Sequence, residues 1–83
     1  MVMNKFYLGI DPGRSKTGLA LVDGNGKIIS LRIADSQNIN NEILEFTKEN
    51  CPAQIVLGNG TNSRNICEVV EKVLPNIAVT VVE

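Results

Sequence analysis

With 83 residues, 43% of them hydrophobic and 20% charged, the chain has the composition of one small globular domain. Its net charge of −1 denies it a global electrostatic footprint for nucleic acid, so any such contact must come from a local patch. The absence of histidine removes His-based metal sites, His general bases and Ser-His-Asp triads. Cys51 and Cys67 form no Cys-x-x-Cys pair and are expected as reduced structural thiols in a cytoplasmic protein. Apolar runs reach only about six residues, against the ~20 needed to span a bilayer, and the run after Met1-Val2-Met3-Asn4-Lys5 is too short to be expected as a signal peptide. No membrane partner is expected.

Phe6 to Ile10 is a continuous apolar run and reads as a buried strand. Thr17 to Val22 reads as a second strand and Lys27 to Ile33 as a third. Between those two lies Asp23-Gly24-Asn25-Gly26, a hairpin signal because Gly and Asn tolerate positive φ. Its superficial likeness to a calcium loop lacks the acidic ligands that should follow. The period then turns helical over Ile39, Ile43, Leu44 and Phe46, with Ser36 or Asn38 as cap and Pro52 as stop. Ile55 to Gly58 is a short strand. Thr61 or Ser63 is expected to cap a second helix, whose stripe is Ile66, Val69, Val70, Val73 and Leu74. Ile77 to Val82 is the last strand. Residues 1–83 thus form a single α/β domain of order β-β-β-α-β-α-β. Right-handed crossovers give a five-stranded mixed sheet in the order 3-2-1-4-5 with two helices.

This topology gathers the candidate chemistry along one sheet edge, where open α/β sheets bind ligands. Asp11 ends the first strand; a carboxylate there either binds a metal or phosphate-bearing ligand or caps the turn through the amides of Gly13 and Arg14. Gly13 serves the turn. Arg14 and Lys16 project from it and could grip phosphate oxygens or simply be solvated. Gly58-Asn59-Gly60-Thr61-Asn62-Ser63-Arg64 is no Walker A loop, for no Gly-Lys-Ser/Thr closes it. It is nevertheless a polar, glycine-rich loop feeding a helix N-terminus, where free amides favour an anion. Gly58, Asn59, Gly60, Thr61, Ser63 and Arg64 are its candidate phosphate or nucleic-acid contacts. Glu83, one strand beyond, is expected at roughly 9–10 Å from Asp11 between Cα atoms. The pair could hold Mg²⁺ or Mn²⁺. Asp23 is expected at the opposite edge, Asp35 beyond it in the loop entering the first helix. No third carboxylate presents itself.

Gly9-Ile10-Asp11-Pro12-Gly13 with Thr17-Gly18 resembles the opening of RuvC-type Holliday-junction resolvases and YqgF-like proteins, both RNase H-like. Ile55 to Arg64 is similar to the matching stretch of the YqgF-like domain of Tex-type transcription factors. The resemblance implies an RNase H-like fold with Asp11 and Glu83 as metal-holding catalytic acids. It also implies structured DNA or RNA as partner. The family's domain continues into a further helix with another acid, before which this chain stops; Asn65 replaces an acid common in Tex. The sheet face that helix would cover could be closed by a homodimer. The leading expectation is therefore a Mg²⁺-dependent nuclease-like domain, of Holliday-junction-resolvase or pre-rRNA-processing type. An inactive nucleic-acid-binding or assembly module of the same fold is the alternative. A third reading is an ATP-binding fragment of the actin/sugar-kinase type, whose first phosphate loop also begins Asp-x-Gly on a β-hairpin. That class needs a second phosphate loop and a second lobe, which 83 residues cannot both supply.

Overall fold

The computed structural model describes residues 5–83. Five strands form one mixed sheet: β1 (Phe6–Asp11), β2 (Lys16–Asp23), β3 (Ile28–Asp35), β4 (Gln54–Gly58) and β5 (Ala78–Val82). A 3-10 turn, Ser36–Asn38, leads into α1 (Ile39–Thr47), and α2 (Ser63–Val73) joins β4 to β5. The strand order is β3-β2-β1-β4-β5, as the crossover rule requires. β1–β2 and β2–β3 pair antiparallel; β1–β4 and β4–β5 pair parallel.

Both helices lie on one side of the sheet. Leu8 and Ile10 of β1, Leu19 and Leu21 of β2, and Ile55 and Leu57 of β4 are buried there against Ile39 and Ile43 of α1 and Ile66 and Val70 of α2. Side chains alternate across a strand, so Tyr7, Gly9 and Asp11 stand on the other side, which carries no helix among the described residues. The apolar run Phe6 to Ile10 is thus buried on one face and only half-covered on the other. Arg32 reaches back over α1, paired with Glu42 at 3.3 Å and stacked 5.5 Å from the Phe46 ring centroid.

The Asp23 hairpin closes on itself. Asp23 Oδ1 accepts from the amides of Asn25 and Lys27, both at 2.9 Å, and Gly26 takes φ of 84°. It is a turn, not a calcium loop. Three local expectations need correction. Ser36 does not cap α1; it belongs to the 3-10 turn that Asp35 caps through Gln37 N, and Asn38 sits at the cap position of α1 without a capping side-chain bond. Neither Thr61 nor Ser63 caps α2. Asn62 holds that position, and its side chain turns elsewhere. Asp35 ends β3 opposite Lys16, which places it on the same sheet edge as Asp11. The strand outlasts its apolar run because Asp35 falls on the open side, where a charge stays hydrated.

Among the described residues no helix is long and apolar enough to cross a membrane. Both cysteines are free thiols. Burial pushes the Cys67 thiol up from its usual range, helped by the charges of Glu71 and Glu68 and a hydrogen bond to Glu71.

Candidate functional site

The two loops singled out in the sequence are packed against each other at the carboxyl end of β1 and β4. A Cβ on Gly60 would lie 2.8 Å from Pro12 O, and one on Gly58 3.5 Å from Ile10 O and the Pro12 ring. Glycine is therefore what lets the β4–α2 loop slide under Pro12. The turn between β1 and β2 is tighter still. A Cβ on Gly13 would overlap the carbonyl oxygen of Lys16, a backbone atom that cannot step aside.

Gly13 O is the hub of the arrangement. Ser36 Oγ donates to it at 2.8 Å and Asn62 Nδ2 at 3.2 Å. Since Ser36 commits its proton there, the 2.7 Å bond between Thr17 Oγ1 and Ser36 Oγ runs from the buried Thr17 hydroxyl to Ser36. Asn62 Oδ1 in turn accepts from Asn65 Nδ2 at 2.9 Å. This explains why Asn62 caps nothing: its amide ties α2 to a turn 49 residues away. Sequence reasoning missed Ser36 and Asn62 as the residues that position this turn, because the acceptor they share is a remote backbone carbonyl.

The consequence is an imbalance between donors and acceptors. Ser36 N takes Ser15 O at 2.9 Å, so the carbonyls of Gly13 and Ser15 are both engaged. Among the described residues the amides of Gly13, Arg14 and Ser15 have no acceptor, and neither do those of Arg64 and Asn65 in the first turn of α2. Asp11, Arg14 and Lys16 are exposed, and no ion pair engages Arg14, Lys16 or Arg64 among the described residues. The Asp11 carboxylate accepts no hydrogen bond there, so it does not cap the turn. Ser63 Oγ donates to Asn59 Oδ1 at 3.4 Å, and Asn59 N to Val82 O at 2.7 Å, which fixes the β4–α2 loop to β5.

Thus Asp11, Gly13, Arg14, Lys16, Gly58, Asn59, Gly60, Thr61, Ser63 and Arg64 do come together at one edge. Glu83 stands one residue past the end of β5; Val82, paired with Gly58, is the β5 residue level with Asp11. Among the described residues no group of three or more acidic or thiol side chains could hold a metal ion.

No protein-family model and no curated protein matches the chain. Among solved structures it is similar to the Aquifex aeolicus PPX-GPPA enzyme, with a TM-score of 0.56 at 16% identity over 95% of this chain. The chain spans 36% of that enzyme's length. The likeness is to a PPX-GPPA enzyme and not to a nuclease, which corrects the leading expectation. The likeness shows a shared backbone arrangement, and the nuclease assignment is set aside.

Proposed function

We propose that this chain is a phosphate-chain-binding unit of the actin/sugar-kinase type, with the β1–β2 turn as its first phosphate loop. One observation carries the reading. The Gly13 turn has its carbonyls engaged from behind while its amides, the Arg14 and Lys16 cations and the Asp11 carboxylate remain uncommitted. Unpaired amides in a tight turn form an anion-binding concavity, and flanking cations deepen it. The amides of Arg64 and Asn65 at the head of α2 add donors on the same edge. The ligand class is a nucleoside triphosphate or another linked phosphate.

Asp11 suits a phosphate-borne Mg²⁺, an ion that keeps most of its waters and needs only one or two protein carboxylates. When bound, Mg²⁺ would neutralise phosphate charge. The chain's own part is to seat the phosphates on the turn and hold the hydrated ion at Asp11. The likeness to the Aquifex enzyme supports the fold class, and the share of that enzyme's length suits a single lobe. A cytoplasmic setting, where nucleotides abound and thiols stay reduced, fits free Cys51 and Cys67.

The test is thermal unfolding with Mg²⁺-tripolyphosphate, Mg²⁺-ATP or adenosine. Ligand at a hundredfold its dissociation constant stabilises by about 2.7 kcal/mol. Both phosphate compounds should raise the midpoint, adenosine should not, and the Arg14→Ala/Lys16→Ala double variant should lose the response. Equal midpoints in all three, with ligand in the millimolar range, would overturn the reading.

A further inference from the structure

Strand pairing sets two rows of side chains across the open side of the sheet. Asp11, Gly18 and Ile33 stand level in one row, and Gly9, Ala20 and Leu31 in the next. Leu31 and Ile33 are 68% and 73% exposed and rise as a wall along β3. The floor beside them has no side chain at Gly9 and Gly18 and one methyl at Ala20, which leaves a trough of about 470 Å³. Small-ligand clefts run from roughly 300 to 1,000 Å³. Farther along the same side Gln54 Nε2 donates to Thr80 Oγ1 at 3.1 Å, so the β4–β5 half carries a polar pair and the apolar hollow is confined to three strands. A hollow of that extent suits a small molecule better than a protein surface.

The trough runs up to the phosphate loop. Asp11 lines its near end and leads directly into the Pro12–Gly13 turn. The turn also faces this side. Gly13 O accepts from Ser36 Oγ, itself bonded to the buried Thr17, and from Asn62 Nδ2 at the head of α2, so it points toward the helix layer. In a trans peptide unit the carbonyl and the following N–H point in opposite directions. The Arg14 N–H is therefore aimed away from the helices, to the side where the Asp11 carboxylate and the trough lie. The near end of the trough is two residues from Gly13, at most about 7 Å along the chain. That gap is shorter than a triphosphate with its sugar. Arg32 turns its guanidinium to Glu42 and Phe46 on the helix side, which leaves Asp11 as the charged side chain of the lining among the described residues. A flat ring laid over two glycines and against two aliphatic side chains satisfies such a lining, with its polar edge in water. A bare phosphate chain leaves it unused.

We infer that the ligand of this chain is a nucleotide rather than an inorganic phosphate chain. With its phosphates on the Gly13 turn, its base lies in the Gly9–Gly18–Ala20 trough against Leu31 and Ile33. The inference rests on the β1–β2 turn binding phosphate. No polar side chain of the trough reads the edge of the base, so ring area decides: adenine and guanine are taken alike, and both ahead of the smaller pyrimidines.

Calorimetric titration with Mg²⁺-ATP and Mg²⁺-ribose 5-triphosphate tests it, since the second ligand has the same phosphate ester and lacks only the base. Burying one face of the base should make ATP bind about tenfold more tightly. Ala20→Leu fills the trough and should bring ATP to within about twofold of ribose 5-triphosphate, whose own affinity stays that of wild type. Leu31→Ala lowers the wall at an exposed position and should also cut the advantage of ATP; it carries the test if circular dichroism shows Ala20→Leu unfolded. In the isotope-labelled chain, the amides of Gly9, Gly18 and Ala20 should shift with ATP more than with ribose 5-triphosphate. Equal affinities for the two ligands overturn the inference and leave the phosphate loop standing. So does an ATP advantage that survives both variants, which would place the base outside the trough. An advantage that fades as protein concentration rises would put a second copy of the chain on the trough and overturn it as well. Binding of neither ligand removes the phosphate loop, and the base site with it.

Discussion

The molecule contains two Asp-bearing hairpin turns, and they solve the same problem in opposite ways. At Asp23 the carboxylate is consumed locally: it takes two backbone amides within four residues, and the turn needs nothing from the rest of the fold. At Asp11 the carboxylate takes none, and the turn is held from outside by Ser36 and Asn62 through Gly13 O. An acid in a tight turn is therefore no functional signal by itself. The signal is an acid whose turn is already held by something else. Substituting the turn glycines should separate the two first. Gly13→Ala forces a methyl onto the Lys16 carbonyl and should cost about 2–4 kcal/mol, a large share of the stability of so small a domain. Gly24→Ala, whose methyl would meet only Lys5 O at 3.9 Å, should stay within about 0.5 kcal/mol. Urea midpoints of the two variants decide it; equal losses would erase the distinction.

Removing the outside support comes next in size. Ser36→Ala deletes the donor to Gly13 O and strands the buried Thr17 hydroxyl, an expected loss of about 1–3 kcal/mol. Adding Thr17→Val should recover part of it, since a buried hydroxyl without a partner is worse than a methyl. A double variant no more stable than Ser36→Ala would mean the Thr17–Ser36 bond is not what Ser36 provides. Asp23→Ala, which frees two solvent-exposed amides, should cost less, about 0.5–1.5 kcal/mol. Its urea midpoint should move while its response to tripolyphosphate stays that of wild type.

The sheet was legible in the sequence because each strand is a short β-branched or apolar run bounded by Gly, Pro or Asn, and crossover handedness leaves one economical order. Three features lay beyond that reach. A continuous run such as Phe6 to Ile10 does not say which side is covered, so the exposed ridge of Leu31 and Ile33 emerges only from β-pairing. Thr61, Asn62 and Ser63 are equivalent cap residues by type; only the distant Gly13 carbonyl distinguishes Asn62. Asp35 reads as loop because the expected strand ends with the apolar run at Ile33, yet pairing of Ala34 with Thr17 and of Asp35 with Lys16 carries the strand two residues on. The function went astray for a different reason. Asp11-Pro12-Gly13 on a hairpin suits a nuclease and a phosphate loop equally well, and what divides those classes lies largely outside this motif.

The smallest stability effect should be the most informative one. Asp11→Ala removes an exposed carboxylate with no hydrogen-bond partner, so its urea midpoint should lie within about 0.5 kcal/mol of wild type. A loss as large as that of Asp23→Ala would make both acids structural and collapse the comparison. Its ligand response should instead split by metal. A bare carboxylate beside the Gly13 turn repels a phosphate chain, so the variant should bind metal-free tripolyphosphate at least as tightly as wild type. With Mg²⁺ present the sign reverses, for the same carboxylate attracts the phosphate-borne cation and its removal should weaken binding. Calorimetric titration of tripolyphosphate with and without Mg²⁺ reads both arms on one protein. Identical affinities for variant and wild type in both arms would leave Asp11 without a part in the site. Crossing affinities would show that the turn was left unsatisfied so that its acid could meet a cation.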